Sequence, residues 1–267
     1  MIRKLLKVFV VLVFLFGLYG TASAADNHWL GTAGDNEWNT VANWEDGHVP
    51  DAVLWPTEEA EIGYTTVGAG PILGVGDVGS AYRVFLGQND GPSMYGELTM
   101  DGGTLTSSGY WSTAYHAGTS ALITMNSGTV YIGDPVGANG HLYLGRAGSA
   151  IINMSGGSFT CDDDLNIAHA GGYGEINLSG GVFTASTLKF TGTGLIDISG
   201  SGTLVLKGDD SAAVATFIAN GWITGNGEED NLNVSLVEGD TVVTAIPEPA
   251  TISILAFGAL GLFRRRK

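Results

Sequence analysis

Between residues 97 and 200, apolar and polar side chains alternate in short bursts, each cut off by a glycine-containing turn. The segments 97–103, 122–128, 151–157, 175–181 and 195–200 share this form. Their second apolar position falls at Met100, Met125, Met154, Leu178 and Ile198, at spacings of 20–29 residues. A second alternating stretch follows each turn, at 104–106, 129–131, 158–160, 182–184 and 203–205. A third precedes each unit, at 84–86, 142–144, 165–167 and 188–190, with a weaker copy near Thr113, Ala114 and Tyr115. Period-two alternation turns Ile152, Met154 and Phe159 inward and leaves Asn153 and Ser155 to water. Strands of three or four residues are not stable alone, so they must add to one another. The pattern predicts an all-β fold: a single-stranded parallel β-helix, or β-solenoid, of about five or more three-strand coils with capping segments. Coils then lie about 4.7–4.9 Å apart around one apolar column. A β-sandwich also has many short strands, but gives no reason for the same residue types to recur in the same order.

The two ends read differently. Arg3, Lys4 and Lys7 precede an apolar run from Val8 to Leu18 and the small residues Ala22, Ser23 and Ala24. This is the form of a secretory signal peptide, cut after Ala24 by signal peptidase. An uncleaved anchor is the rival reading, but the run falls short of the ~20 residues a spanning helix needs. At the other end Pro247, Glu248 and Pro249 precede an apolar stretch from Thr251 to Phe263, closed by Arg264, Arg265, Arg266 and Lys267. The basic cluster would stay cytoplasmic while the body faces out, giving transient membrane association through this segment.

This tripartite end resembles the PEP-CTERM sorting signal of Gram-negative bacteria that make exopolysaccharide. The resemblance implies recognition of the Pro-Glu-Pro motif by an exosortase, a membrane protease-transferase that removes the tail. A simple C-terminal anchor is the alternative. The coils themselves, as in Leu142–Gly148 followed by Ile152–Phe159, resemble those of exported, passenger-like β-helical proteins that often carry such tails. Trp29, Trp38, Asn43-Trp44 and Pro50 look like the start segment of those proteins. Physically, three Trp supply a lid over the exposed end of a stack, and a Trp-lined sugar platform is the functional alternative.

Composition narrows the chemistry. The chain has one Cys in 267 residues, which excludes a disulfide scaffold and a Cys-based zinc site. Residues 25–246 hold four cations (Arg83, Arg146, Lys189 and Lys207) against 26 acids, a net charge of −22. Such a body repels phosphate backbones, so nucleic acid is excluded as a partner. No Ser-His-Asp order, phosphate-cradling loop or zinc-ligand spacing stands out.

Three candidate sites remain. The triplet Asp162-Asp163-Asp164 lies between two strands, and alternation puts Asp162 and Asp164 on one face as a weak Ca²⁺ site or acid–base pair. A solvated turn is the plainer reading, and acidic neighbours would raise the pKa of Cys161 and blunt it. Aligning the glycine-bearing corners superposes Gln88, His116, Arg146 and His169 as a polar stripe, read either as a glycan ladder or as side chains serving corner carbonyls. In that alignment His116 and His169 stand two coils, ~10 Å, apart and cannot share a metal. The outward row Thr99, Thr124, Asn153, Asn177 and Asp197 reads as a solvated strand face.

The expected organisation is a signal peptide at 1–24, an N-terminal cap and first coils at 25–82, solenoid repeats at 83–206, a C-terminal cap at 207–246 and the sorting signal at 247–267. The expected function is non-enzymatic: an exported structural or adhesive protein of the cell surface or exopolysaccharide matrix, without a cofactor except Ca²⁺, and with acidic polysaccharide as its partner. A polysaccharide lyase or hydrolase is the alternative; it requires two carboxylates and an Arg or Lys to converge in a groove. Mass spectrometry of the protein from its native host is expected to read Ala25 as the first residue and to find Arg264–Lys267 removed. An intact tail would leave a simple anchor.

Overall fold

A computed structural model of the chain describes residues 26–64, 69–88, 93–133 and 140–247. The expected signal peptide at 1–24, Glu248, Pro249, Arg264, Arg265 and Arg266 lie outside the described residues; Pro247, the last described residue, is exposed. The chain winds into a β-solenoid of about six turns, with three strand columns per turn.

The first column runs through β3 (Ile72–Leu73), the starts of β6 (Tyr95–Ser107), β8 (Ser120–Ile132), β10 (Ser149–Ile167) and β11 (Tyr173–Phe190), and then β12 (Thr193–Ile198) and β14 (Ile223–Gly225). Here Met100, Met125, Met154, Leu178 and Ile198 stand in register, as do Leu98, Ile123, Ile152, Ile176 and Ile196. All ten are buried. The second column begins at β4 (Val78–Ala81), passes through the second halves of the long strands and ends at β13 (Thr203–Leu206). Its inner row is Leu105, Val130, Phe159, Phe183 and Leu204. Phe159 and Phe183 lie face to face, with centroids 4.7 Å apart, and Trp111 meets Phe159 edge-on.

The third column is β1 (Asp26–His28), β2 (Glu59–Ile62), β5 (Arg83–Leu86), β7 (Trp111–Thr113), β9 (Leu142–Leu144) and the ends of β10 and β11. The weak copy expected near Thr113–Tyr115 sits two residues earlier, at β7. Trp111 takes the inner slot opposite Val84 and Leu142, its indole N–H donating to Ser107 Oγ at 2.7 Å, and Ala114 turns the corner at φ +49°.

Glycine is indispensable where the first column meets the second. Gly128, Gly157 and Gly181 occupy the same corner at φ of +91°, +80° and +77°. A Cβ on any of them would lie 2.4–2.5 Å from the carbonyl oxygen of the glycine one coil below. The corner therefore demands both a left-handed backbone and the absence of a side chain.

Both ends are closed. Trp29, Trp38 and Trp44 are buried edge-to-face over the first coil, which leaves none of their faces for a sugar. The Asn43-Trp44 pair divides the work. The Trp44 ring fills the lid, while the buried Asn43 amide donates to Asp35 and the Glu37 carbonyl and accepts from the Ala33 N–H. At the far end α1 (Ser211–Ala219) opens the C-terminal cap, packing Phe217 against Phe190 and Trp222. The last parallel strand then pairs with β16 (Asp240–Ala245) antiparallel, and β15 (Leu232–Val237) forms the outer edge. Asp230 and Glu238 flank that edge with like charge, which discourages pairing with another chain.

Gly157→Ala combines left-handed strain with overpacking against backbone. It is expected to cost about 2–5 kcal/mol and lower the melting temperature accordingly. Thermal denaturation followed by circular dichroism checks this; an unchanged melting temperature would refute the corner packing.

Candidate functional site

Side chains of the third column that point outward share one broad face. Pairing across successive coils places His28, Glu61, Phe85, Ser112, Tyr143, Asn166 and Lys189 in a single row. Because each of these residues sits between neighbours that point inward, the row follows from alternation alone.

At the corner after these strands, Gly87, Ala114, Gly145 and Ala168 all take positive φ, and the residues following them form a second row. That row is Gln88, Tyr115, Arg146 and His169. The stripe expected from the sequence is present for Gln88, Arg146 and His169, but Tyr115 holds the place assigned to His116. The link from Ala114 to Ser120 is two residues longer than that from Gly145 to Ser149, while Ser120 and Ser149 remain in register. Aligning on the later glycine therefore shifted the assignment by one residue. Tyr115 lies beneath Arg146, whose guanidinium carbon is 4.1 Å from its ring centroid and 5.7 Å from that of Tyr143. His169 meets Tyr143 edge-on at 4.9 Å, and His116 tilts against Tyr115 at 4.7 Å. Gln88 Oε1 is buried with no hydrogen-bond partner.

Aromatic rings tie the rows together. Arg83 lies between Tyr82 and Tyr110, 4.5 and 4.4 Å from their centroids, and donates to Glu59 at 2.8 Å. Tyr110 meets Phe85 and Tyr143 edge-on, both at 5.7 Å. These tyrosines did not stand out in the sequence. The available signal was their place in or next to the third strands: Tyr143 is the middle residue of β9, and Tyr82 and Tyr110 immediately precede β5 and β7.

The acidic triplet is divided by its corner. Pairing of β10 with β11 slips between Cys161 and Asp164, so period-two alternation does not hold across it. The predicted pairing of Asp162 with Asp164 is therefore replaced. Asp162 accepts a hydrogen bond from Tyr131, whose hydroxyl is pushed up to about 12 by that carboxylate. Asp163 and Asp164 instead gather with His141, at 3.4 and 3.6 Å from its ring nitrogens, and Lys189 pairs with Asp164. Lys189 is 25 residues from Asp164 along the chain, which is one coil, so the pair meets only through stacking. Cys161 is pushed up to about 12, chiefly by burial in the core rather than by its acidic neighbours.

A second carboxylate group lies at the N-terminal end of the face, where Asp26, Glu59 and Glu61 converge. Burial, more than the nearby charges of Asp26 and Glu59, raises Glu61 to about 7, against an opposing contribution from His28 at 3.1 Å. Glu59 is also raised by burial, and Arg83 offsets part of that rise. His28 stacks on Tyr64 at 4.1 Å and contacts Glu45 with its other ring nitrogen.

The expected solvated row on the first column is in register and hydrogen-bonded along the stack: Asn177 donates to Asn153 at 3.0 Å, and Thr224 to Asp197 at 2.7 Å. A groove of about 550 Å³ beside the third column is lined by Gly118, Gly148, Gly171, Gly172, Thr119 and Tyr173 among others, with no charged residue.

Comparison with known proteins bears on the end of the chain. Residues 245–267 match the PEP-CTERM protein-sorting motif. No curated protein and no solved structure matches the chain. The molecule is thus a β-solenoid carrying a PEP-CTERM sorting motif, which marks an exported, surface-targeted protein processed by an exosortase.

Glu61 is raised above its ordinary 4.5, so the fold favours its neutral form. Its contribution to stability is full below pH 4.5 and is lost as pH rises through about 7. Glu61→Gln is expected to flatten the fall in melting temperature over that interval and to raise it at pH 8 by roughly 3–8 °C. Parallel melting curves for the two proteins from pH 4 to 8 would refute this.

Proposed function

We propose that the mature chain is a non-enzymatic structural or adhesive rod of the bacterial cell surface or exopolysaccharide matrix. One observation carries the reading. The dense side-chain chemistry of the described residues is laid out in rows along the outer side of an end-capped stack, with half-exposed Tyr115, Tyr143 and Arg146 and exposed Lys189 lying over buried neighbours such as Phe85 and Ser112. Repeated rows on a rigid support suit contact with an extended polymer, where weak contacts add along the length. The net charge of −22 on residues 25–246 keeps such a rod soluble and apart from its copies. Ca²⁺ bridging between its carboxylates and acidic polymers belongs to the same reading.

The lyase or hydrolase reading has one observation in its favour, the convergence of Asp163, Asp164, His141 and Lys189. Against it, the cluster occupies an outer face, and Asp164 is already paired with Lys189. The glycine-lined groove contributes no carboxylate.

The mature protein is expected to fractionate with the exopolysaccharide of its host. It is also expected to produce no new reducing or unsaturated ends from acidic or neutral polysaccharides. New ends that disappear in Asp164→Asn would establish the enzymatic reading, and absence from the matrix fraction would remove the surface role.

A further inference from the structure

The distribution of cations over the solenoid is far from even. Three of the four Lys and Arg residues of the 25–246 body lie on the outer face of the third column. They come from the β5, β9 and β11 coils, so they recur at every second rung, about 10 Å apart along the axis. The outer two are neutralised, Arg83 by Glu59 and Lys189 by Asp164. Arg146, in the middle, has no carboxylate within ion-pair distance among the described residues, although acids outnumber cations more than sixfold in that body. It is held in place by Tyr115 and Tyr143. Stacking on aromatic faces orients a guanidinium without using its N–H donors, so the donors stay free for a planar, two-oxygen acceptor.

We infer that this face binds a polysaccharide running along the solenoid axis, with Arg146 pairing to the carboxylate of an acidic sugar and neutral sugars on either side of it. The inference rests on the surface-rod reading above and names the ligand for it. A guanidinium matches a carboxylate through two parallel hydrogen bonds. Tyr110, Tyr143 and Tyr115 provide rigid half-buried rings with polar tips, suited to the apolar face and hydroxyl rim of a sugar ring. The rung spacing of about 4.8 Å is close to the length of one pyranose ring, so a linear glycan stays in step with the coils. Charge on the flanks limits the choice of ligand. Asp163 and Asp164 lie towards one end of the face, and Glu59 and Glu61 towards the other. A polymer charged on every sugar would meet these carboxylates, whereas one with its acidic sugars spaced apart would not.

The test is calorimetric titration of the mature protein with a hyaluronan octasaccharide, which is acidic on every second sugar. A polygalacturonate oligomer, acidic on every sugar, and a neutral cello-oligosaccharide serve as comparisons. Hyaluronan is expected to bind best, with an affinity that falls as salt is raised. Arg146→Gln is expected to lose at least tenfold and Arg146→Lys less, with both melting like the parent. The inference is overturned if hyaluronan does not bind, if Arg146→Gln binds it equally well, or if either comparison glycan binds as tightly. Fractionation of Arg146→Gln in the host separates this inference from the broader reading. Retention in the matrix without hyaluronan binding would leave the surface role standing and remove only the ligand assigned to this face.

Discussion

Each coil is held to the next by a parallel backbone ladder, and that ladder closes only if the chain can turn its corners without side chains in the way. The Gly128, Gly157 and Gly181 corner makes the constraint concrete, because each residue packs against the carbonyl of the glycine below it. Once the corners repeat, the inner residues have no freedom of register. Met stands on Met and Phe on Phe because the backbone beneath them does so. The apolar column is in this sense a consequence of the ladder, and its burial then makes the ladder cooperative.

The inner rows were legible in the sequence because alternation and burial coincide there. Ile152, Met154 and Phe159 point inward as the period requires, and Asn153 and Ser155 point out. Corners were less legible. Links of unequal length join strands that remain in register, so residues such as Tyr115 and His116 cannot be ranked by counting back from a glycine. The same difficulty split Asp162 from Asp164, since a bulge between Cys161 and Asp164 resets which way a side chain faces. Contacts between coils were the hardest to foresee. Lys189 reaches Asp164, and Arg83 reaches Glu59, across one full turn of chain. Reading such pairs requires the length of each coil to within a residue, which the uneven spacings did not supply.

The three columns have different characters on their outer sides. The first carries small polar residues that bond to one another, as Asn177 does to Asn153. The third carries aromatic rings, three cations and two groups of carboxylates, and several of its outward residues are buried by their neighbours: Phe85, Ser112 and Glu61 among them. A strand face exposed only to solvent has no need of such cover. The buried ionisable groups on this side make it the part of the molecule most responsive to acidity, whereas Cys161 and the inner rows are insulated from it.

Because every rung copies the one beneath it, the architecture sets no natural length. Duplicating a stretch such as residues 154–177 would insert one more turn between unchanged lids, extending the rod by about 4.8 Å. The tryptophan cover and the closing hairpin would not register the change. Gene duplication within the repeats would thus change the length of the rod while leaving its C-terminal sorting motif untouched.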